Sequence, residues 1–306
     1  MSKSQKRIIV GIGEVLWDIY REKRYLGGAP ANVAIHASQL GEQGATVSRI
    51  GNDGLGNELV RAFEKKGLVS NYLQIDKKKG TGTVIIRLDV HGMPSFLCNE
   101  DVAFDYLQFT PELEELARKA DAVVFGTLAQ RAEISRNTIL QFLEKCQGIR
   151  VFDLNARNAG TGFAEIVSNA LQYTDILKVS DDEIRLIMKI FRREGEKLTA
   201  FTRWLIEQYQ LQCVALTQGA KGAAIITLDQ ALTASGYKIQ PLDTTGAGDA
   251  FTAGLLSQYL SGKPLQESLG FANKMAAYVC LHRGATPKLS QKAIERFIQN
   301  IEMRSE

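Results

Sequence analysis

The stretch Asp243–Phe251 (DTTGAGDAF) places a carboxylate next to residues small enough for close backbone approach. It follows an extended segment and opens an apolar predicted helix, so backbone amides and the positive end of the helix dipole can bind an anion around Gly246, Ala247 and Gly248. Asp249 lies in the first turn of that helix. Such a carboxylate can accept an alcohol proton while the amides stabilise charge on a phosphoryl group. The alternative is a capped helix after a flexible turn.

A second glycine-rich stretch, Gly27–Ala34 (GGAPANVA), leads into another predicted helix. Gly28 permits close backbone approach, and Pro30 suits a first helical turn. Asn32 offers a donor and an acceptor, which suits a pair of polyol hydroxyls, and Asp18 upstream can accept two further hydroxyl hydrogen bonds. The structural alternatives are a turn residue for Asp18 and a helix-start residue for Asn32.

Two common nucleotide-binding motifs do not fit this sequence. No GxxxxGK[ST] pattern occurs, and Gly11-x-Gly13 is too short for a dinucleotide fingerprint. The sequence therefore argues against a P-loop enzyme and against a Rossmann dehydrogenase.

Composition narrows the partners and the compartment. The 306 residues carry 37 basic and 34 acidic side chains, and the scattered net charge of +3 does not indicate nucleic acid as the main partner. No apolar run approaches the ~18 residues of a membrane span. The apolar run after Met1–Arg7 is also too short for a signal peptide. Four widely spaced cysteines form no CxxC pair, which is typical of a reduced protein. We expect a cytoplasmic protein with neither a nucleic-acid nor a membrane partner.

The elements that must position these residues alternate between short apolar strands and helices. The predicted strands are Arg7–Ile12, Thr46–Ile50, Ala122–Phe125, Ile149–Asp153, Ile176–Val179 and Cys213–Thr217. The predicted helices include Ala31–Leu40, Leu55–Lys66, Ile134–Gln147, Leu198–Gln210, Ala247–Tyr259, Leu265–Leu281 and Gln291–Ile301. This α/β alternation with fully apolar strands predicts a mostly parallel sheet covered by helices on both faces.

One stretch breaks the alternation. Thr81–Leu88 and Ser95–Leu97, joined by a turn at His91–Pro94, predict a β-hairpin without an attached helix. We expect a single domain over residues 1–306, with a small β lid formed by about residues 14–28 and 80–105. The exposed lid strands also predict a homodimer formed by strand pairing between lids.

The two glycine-rich stretches resemble the two signatures of the ribokinase-like (PfkB) sugar kinases. They occur in the same order as in that family, and Gly41 and Gly51 follow the first of them. The likeness runs from about Arg7 to the final helices, and the GGAPAN and GEVLWD segments resemble fructokinases most closely. The resemblance implies a three-layer α/β/α sandwich with a small β lid. It also implies ATP-dependent phosphorylation of a primary hydroxyl of a sugar.

The resemblance further implies roles for single positions. Asp249 matches the catalytic base, and Gly246 to Gly248 match the anion hole. The positions that match sugar-binding residues are Asp18, Gly28 and Asn32. Thr217 and Gly219 resemble the strand end and turn that meet the nucleotide, and Asn273 resembles a residue near adenine.

Other positions match family motifs with departures. Asn155 and Arg157 in DLNAR resemble the DPNLR segment near the phosphates, which implies cofactor binding for Asn155 and substrate binding for Arg157. Glu183 in SDDE resembles the glutamate that organises Mg²⁺ through water, although serine stands where asparagine is usual. Asp243 and Thr245 could line a monovalent-cation (K⁺) site, as in several relatives.

Some positions keep two interpretations. Phe104 could stack on a sugar ring or pack in the core, and Lys178 could approach phosphates or be solvated. The segment Cys98–Asp105 lacks the stretch with Arg and Ser-Ala-Asp that is common in many fructokinases.

The expected reaction is the conversion of D-fructose to fructose 6-phosphate with ATP and Mg²⁺. Ribose, 2-keto-3-deoxygluconate or a nucleoside are alternative acceptors, and a non-catalytic binding or regulatory homologue is the alternative from another class.

Overall fold

A computed structural model describes residues 6–20, 23–88, 94–157, 160, 162–289 and 291–302. The strands are β1 (Ile8–Ile12), β2 (Leu16–Tyr20), β3 (Lys23–Gly27), β4 (Gln43–Gly51), β5 (Leu73–Asp76), β6 (Gly82–Leu88), β7 (Pro94–Cys98), β8 (Ala122–Phe125), β9 (Ile149–Asp153), β10 (Ile176–Ser180), β11 (Cys213–Thr217), β12 (Gly222–Ile226) and β13 (Ala231–Ser235). The helices are α1 (Ala29–Gln39), α2 (Gly54–Lys65), α3 (Pro111–Lys119), α4 (Glu133–Lys145), α5 (Phe163–Leu171), α6 (Asp181–Ile190), α7 (Leu198–Tyr209), α8 (Ala247–Tyr259), α9 (Leu265–Cys280) and α10 (Gln291–Glu302).

The large sheet has nine strands in the order β13-β12-β11-β10-β9-β8-β1-β4-β5. The run from β11 to β5 is parallel throughout, and β12 and β13 add an antiparallel edge. Each strand predicted from an apolar run is present in the parallel part, so the predicted mostly parallel sheet is confirmed.

Alternate residues of the central strands face opposite layers of helices, as the two-residue period of a strand requires. Ile9 packs in a buried cluster with side chains of α1, α8 and α9, including Val33 and Phe251. Its neighbour Val10 packs in a second cluster with side chains of α3 to α7, including Phe142. Both faces of the sheet are therefore covered, and the predicted three-layer arrangement is confirmed.

A separate four-stranded sheet, in the order β3-β2-β6-β7, lies beside the large one. Strands β6 and β7 pair antiparallel, with Val84 opposite Cys98, which confirms the predicted hairpin. Positions 91–93 of the predicted turn lie outside the described residues. Strands β3 and β7 form the edges of this small sheet, and pairing of such edges between two copies stays a prediction. In the described part of the chain, none of the helices combines the length and apolarity that crossing a bilayer requires.

Phe104 lies in a short 3₁₀ turn, Ala103–Tyr106, and is 1% exposed. A Cβ on Gly82 would come within 2.6 Å of its ring, so the missing side chain in β6 makes room for the aromatic group. The Arg131 guanidinium lies 4.9 Å from the ring centroid. Of its two interpretations, Phe104 therefore follows the one in which it packs in the core, because its covered ring leaves no face for stacking on a sugar.

We expect Phe104→Ala to lower the free energy of unfolding by about 3–5 kcal/mol, because truncation of a buried aromatic side chain leaves a cavity. Urea denaturation measures the change. Leu97→Ala, at a side chain that is 53% exposed, is the matched control and should cost less than about 1 kcal/mol. Similar small losses for both variants would contradict the core assignment.

Candidate active site

The predicted site residues gather where the parallel strands end. In an open α/β sheet, the carboxyl ends of the strands meet at one edge, and ligands bind in the crevice outside it. Asn155 follows β9, Glu183 lies in the first turn of the helix after β10, and Thr217 ends β11. Two pockets open at this edge, one polar and one mainly apolar.

The polar pocket lies between the large and the small sheet. Its polar side chains are those of Glu14, Asp18, Asn32, Asn155, Arg157, Thr245 and Asp249. Val84 of β6 and Cys98 of β7 complete the wall on the side of the small sheet. Carboxylate, amide and guanidinium groups thus converge in one concave site, an arrangement that suits a small polyhydroxylated ligand.

The apolar pocket lies between the antiparallel edge of the large sheet and helices α8 and α9. Thr217 and Gly219 line it, together with Phe251 and Ala277. Asn273 also lines it, and its side-chain Nδ2 donates a hydrogen bond of 2.7 Å to the Ser235 carbonyl, which ties α9 to the end of β13. A wide, mainly apolar space with a few fixed polar groups is the usual form of a site for an aromatic cofactor or nucleotide base.

The loop before α8 forms the wall between the two pockets. Thr245, Gly246 and Asp249 line the polar side, whereas Ala247 and Gly248 line the apolar side. Gly246 is the N-cap of α8 with φ of 79°, and a Cβ there would lie 2.4 Å from the Ala285 carbonyl oxygen. The first amides of a helix have no acceptor within the helix, so they can bind an anion at the junction of the pockets.

Asp249 projects from this helix start into the polar pocket. Its Oδ2 accepts a hydrogen bond of 2.8 Å from Asn32 Nδ2, which fixes the orientation of the carboxylate. Desolvation raises the pKa of Asp249 above that of an ordinary aspartate, although the Asn32 bond and the charges of Lys178 and Arg157 oppose the shift. A carboxylate with a raised pKa is a stronger base than a solvated one and is a candidate for proton transfer.

Asn32, Gly28 and Asp18 line the same pocket as Asp249. Asn32 is 3% exposed, and its Oδ1 is buried without a hydrogen-bond partner among the described residues. Gly28 is the N-cap of α1 with φ of 106°, and a Cβ there would lie 2.4 Å from the Glu14 carbonyl oxygen. Burial raises the pKa of Asp18 to about 6, against the opposing charge of Arg157. The Asp18 carboxylate and the Asn32 Oδ1 are therefore acceptors that a ligand in this pocket could use.

Glu14 is a site residue that the sequence analysis did not identify. Its side chain is buried, with Oε1 accepting a hydrogen bond of 3.2 Å from the Ala29 amide. Burial raises the pKa of Glu14 to about 7, even though that backbone bond opposes the shift. Its place immediately after the first parallel strand was the available signal, because the carboxyl ends of such strands line the crevice.

Lys178 lies beneath the loop that separates the pockets. Its Nζ is 3.0 Å from Asp153 Oδ1, and a Cβ on Gly248 would lie 2.8 Å from the same Nζ. Burial lowers the pKa of Lys178, but the Asp153 and Glu183 carboxylates outweigh this and hold the pKa above its ordinary value. Lys178 is therefore buried beside the glycine loop and is not solvated. Its amine keeps its positive charge.

Asp153 contributes a further buried carboxylate at the end of β9. Burial raises its pKa to about 6, although the neighbouring Lys178 opposes the shift. Its Oδ2 is buried without a partner among the described residues. Neither the pairing with Lys178 nor this oxygen could be inferred from the DLNAR segment alone.

Glu183 connects two loops at this edge. Its Oε2 accepts a hydrogen bond of 2.8 Å from the Ser180 amide, and its Oε1 accepts one of 2.9 Å from the Ala156 amide. The Ser180 hydroxyl accepts in return from the Glu183 amide, which completes a capping box at the start of α6.

Held in this way, Asn155 has a left-handed φ of 37° and accepts a hydrogen bond of 3.0 Å from Arg157 Nε. Both side chains line the polar pocket. The structure thus places Asn155 beside Arg157 in the polar pocket, whereas the sequence led us to expect it with the nucleotide.

Asp243 organises the glycine loop. Its Oδ1 accepts from the Thr245 amide and its Oδ2 from the Gly284 amide, each at 2.9 Å. Among the described residues, no three histidine, cysteine, aspartate or glutamate side chains are grouped so that they could hold a metal ion. A monovalent cation at Asp243 and Thr245 stays a prediction.

We expect Glu14→Gln to stabilise the ligand-free protein increasingly as pH rises. Unfolded glutamate titrates near 4.3, whereas the folded-state pKa is about 7. The native state therefore binds the extra proton between these values, and wild-type stability falls as pH rises through this window. Glutamine does not ionise, so its advantage in the free energy of unfolding should grow by about 2–3 kcal/mol from pH 5 to pH 8.

Urea denaturation at pH 5 and at pH 8 measures this difference. Glu207→Gln, on the exposed face of α7, is the control and should change stability by less than about 0.5 kcal/mol at either pH. An advantage of Glu14→Gln that is the same at both pH values would contradict the raised pKa.

Comparison with known proteins finds fructokinases among the relatives of this chain. Fructokinase-2 of Oryza sativa subsp. japonica is 27% identical over 322 residues, which cover 95% of this chain and 93% of the relative. The crystal structure of Vibrio cholerae O395 fructokinase, in a form with bound fructose, ADP and calcium ion, has a TM-score of 0.81 at 26% identity. The two structures align over 95% of this chain and 98% of the Vibrio cholerae chain.

A sugar kinase of Pyrococcus horikoshii, PH1459, described as uncharacterized, is 31% identical over 303 residues, which cover 92% of this chain and 93% of the relative. Its crystal structure in complex with ATP has a TM-score of 0.77 at 30% identity, and it covers 92% of this chain and 95% of that chain. The family model described as pfkB family carbohydrate kinase matches residues 12–292. Because that match spans most of the sequence, the chain belongs to the pfkB family of carbohydrate kinases and is a phosphotransferase.

Proposed function

We propose that this carbohydrate kinase uses ATP to phosphorylate a primary hydroxyl of D-fructose, giving fructose 6-phosphate. The observation that carries the proposal is the position of Asp249, whose carboxylate lies in the polar pocket at the start of a helix that also borders the apolar pocket. The fructokinase relatives, one of them solved with fructose and ADP, support fructose as the acceptor.

The polar pocket holds the sugar in this proposal. Its acceptor atoms include the Asp18 carboxylate and the unpartnered Oδ1 of Asn32, and sugar hydroxyls can donate hydrogen bonds to both. Arg157 supplies the opposite charge at the same pocket, where it can meet a phosphoryl oxygen. The acceptor hydroxyl then lies next to Asp249.

The transfer itself follows from these positions. Asp249 accepts the proton of the sugar hydroxyl as its oxygen bonds to the γ-phosphorus. The bond between that phosphorus and the β–γ bridging oxygen breaks, and ADP leaves with the bonding electron pair. Amides of the Gly246–Gly248 loop and the charge of Lys178 beneath it stabilise the negative charge on the transferring group.

In this proposal the apolar pocket holds the adenine and ribose of ATP. A relative solved in complex with ATP supports ATP as the phosphoryl donor. Thr217 and Gly219 border it on the strand side, and Asn273 borders it on the helix side. Magnesium takes oxygen ligands and usually retains several waters. The unpartnered Oδ2 of Asp153 and the nearby Glu183 carboxylate fit such an ion, which would neutralise phosphate charge when bound.

The small sheet acts as a lid in this proposal. It contributes Asp18, Val84 and Cys98 to the sugar pocket, so a movement of the small sheet toward the large sheet would close that pocket. Closure over the sugar excludes water and suppresses ATP hydrolysis without an acceptor.

The test is a coupled ADP-release assay with Mg-ATP against fructose, ribose, 2-keto-3-deoxygluconate and adenosine. We expect turnover with fructose, and Asp249→Asn should lower kcat by about 10²- to 10⁴-fold, because the amide cannot accept the proton. Asp229→Asn, at an exposed loop position, is the matched control and should keep wild-type turnover.

Each result has a separate meaning. Preference for ribose, 2-keto-3-deoxygluconate or adenosine would overturn the fructose assignment and leave the role of Asp249 intact. Full turnover by Asp249→Asn would overturn the base assignment. Silence on all acceptors, from a protein that still binds ATP, would favour a binding or regulatory protein.

A further inference from the structure

One buried polar atom in the sugar pocket has no role in the reaction described above. Glu14 is 2% exposed, and its Oε2 makes no hydrogen bond to any described residue. Glu14 lines the same pocket as Asp18, Asn32 and Asp249. A buried carboxylate oxygen without a partner is costly, so a partner that arrives with the ligand would account for it.

The rest of the residue is firmly held, which fixes the direction of the free oxygen. Oε1 accepts a hydrogen bond from the Ala29 amide at the start of α1. The Glu14 carbonyl lies so close to Gly28 that a Cβ there would be 2.4 Å from it. A role in capping the helix would use only Oε1, and it therefore leaves Oε2 unexplained.

The charges around Glu14 favour a neutral donor as the missing partner. Burial raises the pKa of Glu14, the Asp249 carboxylate in the same pocket adds to this shift, and the Arg157 guanidinium opposes it. Asp18 lies in the same pocket and is subject to the same two charges. A sugar hydroxyl can donate to Oε2 without adding negative charge to this group of carboxylates.

We infer that Glu14 is a substrate-contacting residue, whose Oε2 accepts a hydrogen bond from a hydroxyl of the acceptor sugar other than the one that is phosphorylated. The inference rests on the proposed function and deepens it, because it makes Glu14 a determinant of which sugars are accepted. Hydroxyls of the acceptor are then recognised at two points of the Gly27–Ala34 stretch, by Glu14 next to Ala29 and by Asn32.

Glu14→Gln is a sharp test because of the bond to Ala29. The glutamine carbonyl must take the place of Oε1 to accept from the Ala29 amide, which directs its NH₂ group toward the ligand. The side chain keeps its size and its contact with the helix, yet it can no longer accept from the sugar hydroxyl.

We expect Glu14→Gln to raise the KM for the sugar by about 10- to 100-fold at pH 8, since a hydrogen bond to a charged group is lost. The KM for ATP should stay within about two-fold of wild type. Glu42→Gln is the matched control, because Glu42 pairs with Arg7 near the amino ends of the strands, away from the pocket. It should leave both KM values unchanged.

A cycle with monodeoxy sugars separates contact from structure. Each analogue lacks one hydroxyl other than the one that receives the phosphoryl group. Each analogue is assayed with the wild-type protein and with Glu14→Gln. One analogue should be used equally by the two proteins, because the contacted hydroxyl is already missing, while the others keep the full difference. An equal loss with every analogue, or no loss with any, would overturn the inference and leave a helix-capping residue.

The outcome also separates this inference from the proposed function. If wild type prefers another acceptor to fructose, the deoxy analogues of that acceptor enter the same cycle, and the fructose assignment fails alone. If wild type is active and the cycle shows no coupling, the Glu14 inference fails alone. If wild type phosphorylates none of the acceptors, both fail. Urea denaturation of Glu14→Gln at the assay pH confirms that a raised KM does not come from unfolding.

Discussion

The hydrogen bond from Asn32 to Asp249 is the contact on which the rest of the site depends. It spans 217 residues and joins the two glycine-rich stretches at 2.8 Å. Helix α1 must approach β1 closely for this bond to form, and a Cβ on Gly11 would lie only 1.9 Å from the Pro30 carbonyl oxygen. Helix α8 must begin at a left-handed residue against Ala285, which Gly246 permits. Two backbone constraints thus bring the Asp249 carboxylate and the Asn32 amide that orients it together.

This arrangement concentrates negative charge in the polar pocket. Burial raises the pKa of Glu14, Asp18 and Asp249 together, and the first two also respond to the charge of Asp249. Self-repulsion of this kind lowers the stability of the empty site but prepares it for hydroxyl donors, which satisfy carboxylates without adding charge. On the other side of the loop, Lys178 forms an ion pair with Asp153. This ion pair holds the Lys178 ammonium group close to the backbone of the glycine loop.

The sequence predicted the elements and motifs well, because both are local properties. Apolar runs of a few residues indicated the parallel strands, and small residues before an apolar helix indicated the glycine loop at the start of α8. Phe104 could not be placed, since its burial depends on the absence of a side chain at Gly82 in another strand. The position of Glu14 after the first parallel strand places it near the crevice, but its unpartnered oxygen exists only once the chain around it has folded.

The departures from the family pattern follow the same logic. Serine and asparagine are comparable N-cap residues, so Ser180 in place of asparagine preserves the start of α6. The Glu183 carboxylate then binds two backbone amides, one of them at Ala156, and this contact needs no particular side chain at position 156. Leu154 is fully buried and serves the core. Of this segment, Asn155 and Arg157 present polar side chains to the polar pocket, whereas Leu154 contributes to packing and Ala156 contributes its backbone amide.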